Sequence, residues 1–304
     1  MSSRQDPKSV RIPGDPAESA DESANVFHRH SRNFEHNRFV YPVVSRRSKG
    51  LSIGINLNPD KICNFDCIYC QVDRRSEAET RFVEIDQLLD ELRHVLRQAV
   101  SGDIYNSPRL QETPLHLRRL NDFAFSGDGE PTTFVNFDEI LARTAELREQ
   151  LAPAETKMVL ITNASMFHRE HVQRGLQTLD RNNGQIWAKL DAGTEDYYRL
   201  IERTTIPFQR ILDNITSAAQ MRPLVIQSLF MNVNGEPPAD SEISAYCDRL
   251  NEVQASGGKI EFVQIYTVAR PPAESFVSAL TEDQLKDIAQ LVSVRCGLTA
   301  LVFP

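Results

Sequence analysis

The chain predicts an α/β fold in which parallel strands are covered by helices: a partial (β/α)6 barrel or a doubly wound sheet. Three observations carry this. Short apolar runs alternate with longer amphipathic ones from Leu51 onward. Six such βα units emerge, too few for a closed eight-stranded barrel. The 304 residues, 40% hydrophobic and 25% charged, suit one large globular domain.

Residues 1–26 are rich in Ser, Asp, Pro, Arg and Ala and nearly lack large apolar side chains. Too little surface can be buried there to offset ordering entropy, so a disordered tail is expected, with one domain over 27–304 and regular structure from about Val40. Strands are expected at Ser52–Leu57, Asn121–Ser126, Lys157–Thr162, Gln185–Leu190, Leu224–Asn232 and Lys259–Thr267. Helices are expected at Ile85–Val100, Phe137–Leu151, His168–Leu179, Phe208–Met221, Ser241–Ala255 and Thr281–Val294. Leu285, Ile288, Ala289 and Val292 of the last share one face, and Thr281 with Gln284 forms a capping box at its start.

The net charge of −8 argues against a protein devoted to gripping nucleic-acid backbone. Arg46, Arg47 and Lys49 make one small basic cluster, read most simply as a solvated loop. No apolar stretch approaches a membrane span and the N-terminus lacks a secretion-signal core, so a cytoplasmic protein with reduced thiols is expected.

The most specific chemistry lies in Cys63-Asn64-Phe65-Asp66-Cys67-Ile68-Tyr69-Cys70, a C-x3-C-x2-C spacing. Three clustered thiolates suit a soft metal centre. Structural zinc wants four tight ligands, and no fourth Cys or His follows at finger-like spacing. A [4Fe–4S] cluster on three cysteines keeps one iron open. The cysteines follow the first strand directly, at the end where active sites of such folds lie. Cys247 and Cys296 are remote and read as small hydrophobes.

The second strand runs into Ser126-Gly127-Asp128-Gly129-Glu130-Pro131. This is an ordinary tight turn by itself. It is also a place where backbone can approach a ligand and Glu130 can accept from an ammonium. Thr162 and Asn163 end the third strand, where they can cap a helix or bond a ribose or carboxylate. Alternation along the fourth strand puts Ile186, Ala188 and Leu190 on one face, and Trp187, Lys189 and Asp191 on the other, toward the lumen. Lys189 and Asp191 either pair with each other or contact a ligand, which makes them the catalytic candidates. Gln227 on the fifth strand is a candidate of the same type. Arg270, after the sixth strand, is an anion contact or a plain surface arginine.

The cysteine spacing, with aromatic Tyr69 before the third cysteine, resembles the signature of the radical S-adenosylmethionine (SAM) superfamily. The resemblance implies a partial barrel of six units. It implies a [4Fe–4S] cluster on Cys63, Cys67 and Cys70 whose open iron binds SAM, with one-electron cleavage to a 5′-deoxyadenosyl radical that abstracts hydrogen from substrate. It further implies SAM contacts at Tyr69, Gly127, Asp128, Gly129, Glu130, Thr162, Asn163, Asp191, Gln227 and Ile265, and an electron donor such as flavodoxin or ferredoxin. The Gly127–Pro131 stretch resembles a Gly-Gly-Glu-Pro motif but departs at Asp128. Gly54–Leu57 with Lys61–Cys67, Leu190–Thr194 and Gln264–Pro272 are similar to relatives of the wyosine synthases, which remodel a guanosine in transfer RNA. Those synthases hold a second cluster on N-terminal cysteines, and this chain has no cysteine before Cys63. The expected substrate is therefore unidentified, a small molecule ahead of transfer RNA. The alternative is a non-catalytic iron–sulfur or zinc module.

Overall fold

The computed structural model describes residues 34–304 except 75 and 79; the tail expected at 1–26 lies outside the described residues. In chain order the elements are β1 (Val40–Ser45), β2 (Gly50–Ile55), α1 (Ile85–Ser101), β3 (Leu120–Phe125), α2 (Phe137–Leu151), β4 (Lys157–Thr162), α3 (Glu170–Arg181) and β5 (Gly184–Lys189). There follow α4 (Glu195–Glu202), α5 (Phe208–Met221), β6 (Leu224–Leu229), β7 (Met231–Val233), α6 (Asp240–Ala255), β8 (Ile260–Tyr266), β9 (Val277–Ala279), α7 (Glu282–Cys296) and β10 (Ala300–Phe303).

Eight strands form one sheet in the order β1-β2-β3-β4-β5-β6-β8-β10, curled into a half-barrel. From β2 to β10 every pairing is parallel, and only β1 runs antiparallel, against β2. The parallel strands thus number one more than the six expected, because the four-residue β10 docks beside β8. The fifth expected strand, Leu224–Asn232, divides in two. The sheet ladder ends at Leu229, and Met231–Val233 leaves to pair with β9. At the break the Leu229 N–H donates to Asp191 Oδ1 at 2.7 Å and the Phe230 N–H to the Tyr266 carbonyl at 2.9 Å.

The helices cover the outer face. Phe137, Ile140, Leu141, Thr144, Ala145 and Leu147 turn one stripe of α2 inward, and the capping box of Thr281 and Gln284 opens α7 as expected. Most buried side chains join one large core between helices and sheet. A separate small apolar cluster, Ala124, Val159, Trp187 and Val225, lines the inner face. Ile186, Ala188 and Leu190 belong to the outer core while Trp187 belongs to the inner cluster, the alternation expected along β5. No helix among the described residues is long and apolar enough to cross a membrane.

Candidate active site

A cavity of about 350 Å³ opens at the C-terminal ends of the parallel strands and runs down into the lumen. Cys63, Cys67 and Cys70 line it from the loop after β2. The chain is held there by backbone bonds to the end of α4: the Asp66 N–H donates to the Glu202 carbonyl at 3.1 Å and the Ile68 N–H to that of Ile201 at 2.9 Å. A further bond, Ala273 N–H to the Cys70 carbonyl at 2.8 Å, ties the loop to the segment after β8. Burial raises the Cys63 thiol above its ordinary range. It raises Cys67 further, helped by the Glu202 carboxylate, to which Cys67 Sγ donates at 2.7 Å. Arg74 works the other way. Its Nη2 lies 3.6 Å from Cys70 Sγ, and its charge reaches Cys63, where it opposes the effect of burial.

The turn after β3 sits against this loop, and its glycines show why. A methyl group on Gly127 would stand 2.1 Å from Asn56 Oδ1, and one on Gly129 would stand 2.1 Å from the Ile62 carbonyl, next to Cys63. Neither position has room for a Cβ. Asp128, the departure from an all-glycine turn, brings its own fastening: Asn56 Nδ2 donates to its Oδ2 at 2.7 Å while its N–H donates to Asn56 Oδ1 at 3.1 Å. Glu130 is buried and gathers donors from its own turn and from the end of β4. Its Oε1 accepts from the Thr132 N–H at 3.1 Å and the Thr162 hydroxyl at 2.6 Å, and its Oε2 from the Asn163 N–H at 2.7 Å. Burial pushes its carboxyl up, and these donors oppose the shift. Asn163 Nδ2 reaches back to Asn64 Oδ1 at 2.9 Å, which closes a ring through the cysteine loop.

Lower in the lumen, Lys189, Gln227 and Gln264 stand side by side across three strands. Lys189 and Asp191 do pair, at 2.9 Å. Lys189 also donates to the Tyr266 hydroxyl at 2.9 Å, and its ammonium lies over the rings of Tyr69 and Tyr266. Burial alone would neutralise it, but Asp191 overturns that and holds the ammonium well above its usual range. Asp191 is enclosed beneath the floor, with no side-chain exposure. Its Oδ2 accepts from the Tyr69 hydroxyl at 2.5 Å and its Oδ1 from Leu229 N–H, so it positions Tyr69 and Lys189 and does not itself line the cavity. Ile265 also stands apart: its side chain is in the outer core, while its neighbours Gln264 and Tyr266 face inward. Gln227 faces the cavity, bonded to Gln264 at 2.9 Å.

The radical SAM superfamily model matches residues 57–243 of this chain, the stretch that holds the cysteine loop, the Gly127–Glu130 turn and the β5 floor. The chain belongs to the radical SAM superfamily. Among curated relatives it is 31% identical over 163 residues to a UPF0026 protein of Methanocaldococcus jannaschii, covering 53% of this chain and 43% of that one. It is 22% identical over 268 residues to a GTPase Obg of Brachyspira hyodysenteriae, covering 86% of this chain and 34% of that one. The chain thus spans less than half the length of these two relatives. Among solved structures, SuiB of Streptococcus suis bound to S-adenosylmethionine superposes with a TM-score of 0.55 at 13% identity, over 85% of this chain and 52% of that one. TYW1 with a lysine–pyruvate adduct superposes with a TM-score of 0.51 at 12% identity, over 90% and 81%. The chain shares the half-barrel fold of these two solved structures.

The residues at the head of the cavity fit the iron–sulfur cluster that this family implies. Three thiols line one wall, a donor set suited to soft iron. No three Cys, His, Asp or Glu side chains among the described residues stand close enough together for one metal ion, whereas the irons of a cluster can each take a single thiolate. Arg74 Nε is buried there without a hydrogen-bond partner among the described residues, on the side chain whose Nη2 lies against Cys70 Sγ.

Two groups of site residues escaped the sequence reading. Glu202, whose Oε1 lies 3.0 Å from the Tyr69 hydroxyl oxygen, sits on the eight-residue α4, too short to show a clear helical period. The signal was present: Thr194 caps the helix by accepting from the Tyr197 N–H, and Tyr198 and Ile201 follow at i, i+3 spacing. Arg46 and Arg47, expected in a solvated loop, line the cavity instead. The turn between β1 and β2 crosses the open side of the half-barrel, and Arg46 Nη1 donates to the Pro304 carbonyl beyond β10, at the opposite sheet edge.

Proposed function

We propose that this enzyme carries one [4Fe–4S] cluster on Cys63, Cys67 and Cys70, binds SAM at the head of the cavity, and abstracts hydrogen from a small molecule held below it. The observation that carries this is that the three cysteines, Gly127–Glu130, Thr162, Asn163, Gln227 and Lys189 open into one continuous cavity. The cluster supplies one electron for reductive cleavage of the carbon–sulfur bond of SAM.

The chain's own residues do the positioning. Arg74 sets a cation beside the cysteines, and the ring from Asn56 through Glu130 to Asn64 holds the Gly127–Glu130 turn at a set distance from the cysteine loop. Carbonyls freed by the turn and the Glu130 carboxylate provide acceptors for the amino group of SAM. Thr162, Asn163 and Gln227 provide polar contacts further in, and Tyr69 stands between the cysteines and Lys189. Ile265 contributes through its backbone alone, and Asp191 through Lys189 and Tyr69. Lys189 is the candidate for contact with the substrate, as a fixed cation. Enclosure by the half-barrel keeps water from a reactive intermediate. Flavodoxin or ferredoxin is the class of electron donor proposed.

The test is anaerobic reconstitution with iron and sulfide, followed by dithionite and SAM. The expected product is 5′-deoxyadenosine, formed in proportion to enzyme and absent from Cys67→Ala. A protein with full cluster absorbance that leaves SAM intact would refute the proposal.

A further inference from the structure

Below the head, the cavity wall is cationic. Arg46 and Arg47 enter from the β1–β2 turn, Arg270 from the segment after β8, and Lys189 rises from the floor. Lys189 is neutralised by Asp191. Arg47 is not matched in the same way. Arg47 has no carboxylate within salt-bridge distance among the described residues. Its guanidinium lies instead over two aromatic faces, 5.5 Å from the centre of the Trp187 ring and 5.1 Å from that of Tyr266. Asp122, a buried carboxylate on this wall, takes the Ser52 hydroxyl at 2.5 Å and feels the charge of Arg47 without pairing with it directly. Arg46 is half-buried and its Nη1 donates to a main-chain oxygen of Pro304; burial, with repulsion from Arg47 and Arg270, lowers its affinity for a proton. Arg270 is placed by its backbone, whose carbonyl accepts from Gln71 Nε2 at 3.2 Å.

Bringing the guanidiniums of Arg46 and Arg47 together on a partly enclosed wall is unfavourable unless an anion offsets their repulsion. Aromatic faces keep a guanidinium flat while leaving its N–H edges available for an oxyanion. We propose that this half of the cavity binds an oxyanion of the substrate, a carboxylate or a phosphate, with Arg47 as its main contact. The inference rests on the reading of the cavity as the active site and assigns the class of molecule it takes: a small acid or phosphoester. A net charge of −8 and the placement of Arg46 and Arg47 on the wall of a cavity of about 350 Å³ favour a small anion over a nucleic-acid strand.

Trp187 is the only tryptophan in the chain and lies under Arg47, so its fluorescence reports on this spot. Cluster-loaded protein at low micromolar concentration, saturated with SAM, is titrated separately with inorganic phosphate, pyrophosphate and succinate, with chloride as the control at equal ionic strength. A saturable change with at least one oxyanion and none with chloride is expected, and its identity separates phosphate from carboxylate. Arg47→Ala should weaken the apparent affinity at least tenfold, with partial recovery in Arg47→Lys. No oxyanion response, a response equal to chloride, or unaltered affinity in Arg47→Ala would overturn the inference. So would a response seen without SAM and abolished by it, which would assign the arginines to the carboxylate of SAM. Because binding is read without any cleavage, a wild type that binds oxyanion but leaves SAM intact would refute the proposed function and not this site.

Discussion

The head and the depth of the cavity are built in opposite ways. At the head, Asn56, Asp128, Glu130, Thr162, Asn163 and Asn64 bond one another, and the turn glycines sit within 2.1 Å of where a side chain would collide. In the depth, Arg47 rests on aromatic faces with no carboxylate in salt-bridge range among the described residues. A site whose polar groups already satisfy one another is preorganised for a fixed ligand. A site with crowded like charges is completed by what enters it. On the proposed function, the contrast separates the part that would hold the cluster and SAM from the part that would select the substrate.

That contrast can be broken from either side. The largest effect is expected at the cysteines: Cys63→Ala or Cys70→Ala should lower 5′-deoxyadenosine formation to the level of a no-enzyme control, together with iron content. Next is Asp191→Ala, which strands the buried Lys189 ammonium and the Leu229 N–H. A loss of about 3–5 kcal/mol is expected in urea unfolding, with a smaller loss for Asp191→Asn, which keeps an acceptor. Gly129→Ala pushes a methyl group into the Ile62 carbonyl and should cost about 1–3 kcal/mol while reducing cluster incorporation. An unchanged melting temperature and full iron content would show that the head is not tightly built. Arg47→Ala, by contrast, should change stability by no more than about 1 kcal/mol, because it removes a cation–π contact and relieves repulsion. A large destabilisation there would make Arg47 a structural residue and erase the distinction.

The smallest expected effect concerns Cys247 and Cys296. Burial raises both thiols, Cys296 to about 12, and Cys296 Sγ lies 3.5 Å from the Cys247 carbonyl. A thiol raised in the folded state stays protonated until pH climbs through its folded value. Iodoacetamide at pH 8 should therefore label neither in the native protein and both in urea, detected by peptide mass.

Much of the head was legible in the sequence. Lys157–Thr162, Phe137–Leu151 and Phe208–Met221 form over the expected residues, because strong apolar periodicity and packing agree there. The cysteine loop and Gly127–Glu130 were legible because their function needs particular residues at short spacing. What escaped depends on distant chain. β10 is four residues long and becomes a strand by pairing with β8. Nothing local to Arg46 and Arg47 indicates that their hairpin spans the open side of the half-barrel. The alternation along β5 put Asp191 on the lumen side, but only the three-dimensional structure shows Tyr69 and Lys189 closing over it.

The most direct test of the central claim is electron–nuclear double resonance on the reduced, cluster-loaded protein with SAM carrying ¹⁵N in its amino group. A ¹⁵N coupling to the cluster signal is predicted, since the head of the cavity is assigned to SAM beside Cys63, Cys67 and Cys70. A strong cluster signal with no ¹⁵N coupling at saturating SAM would contradict it.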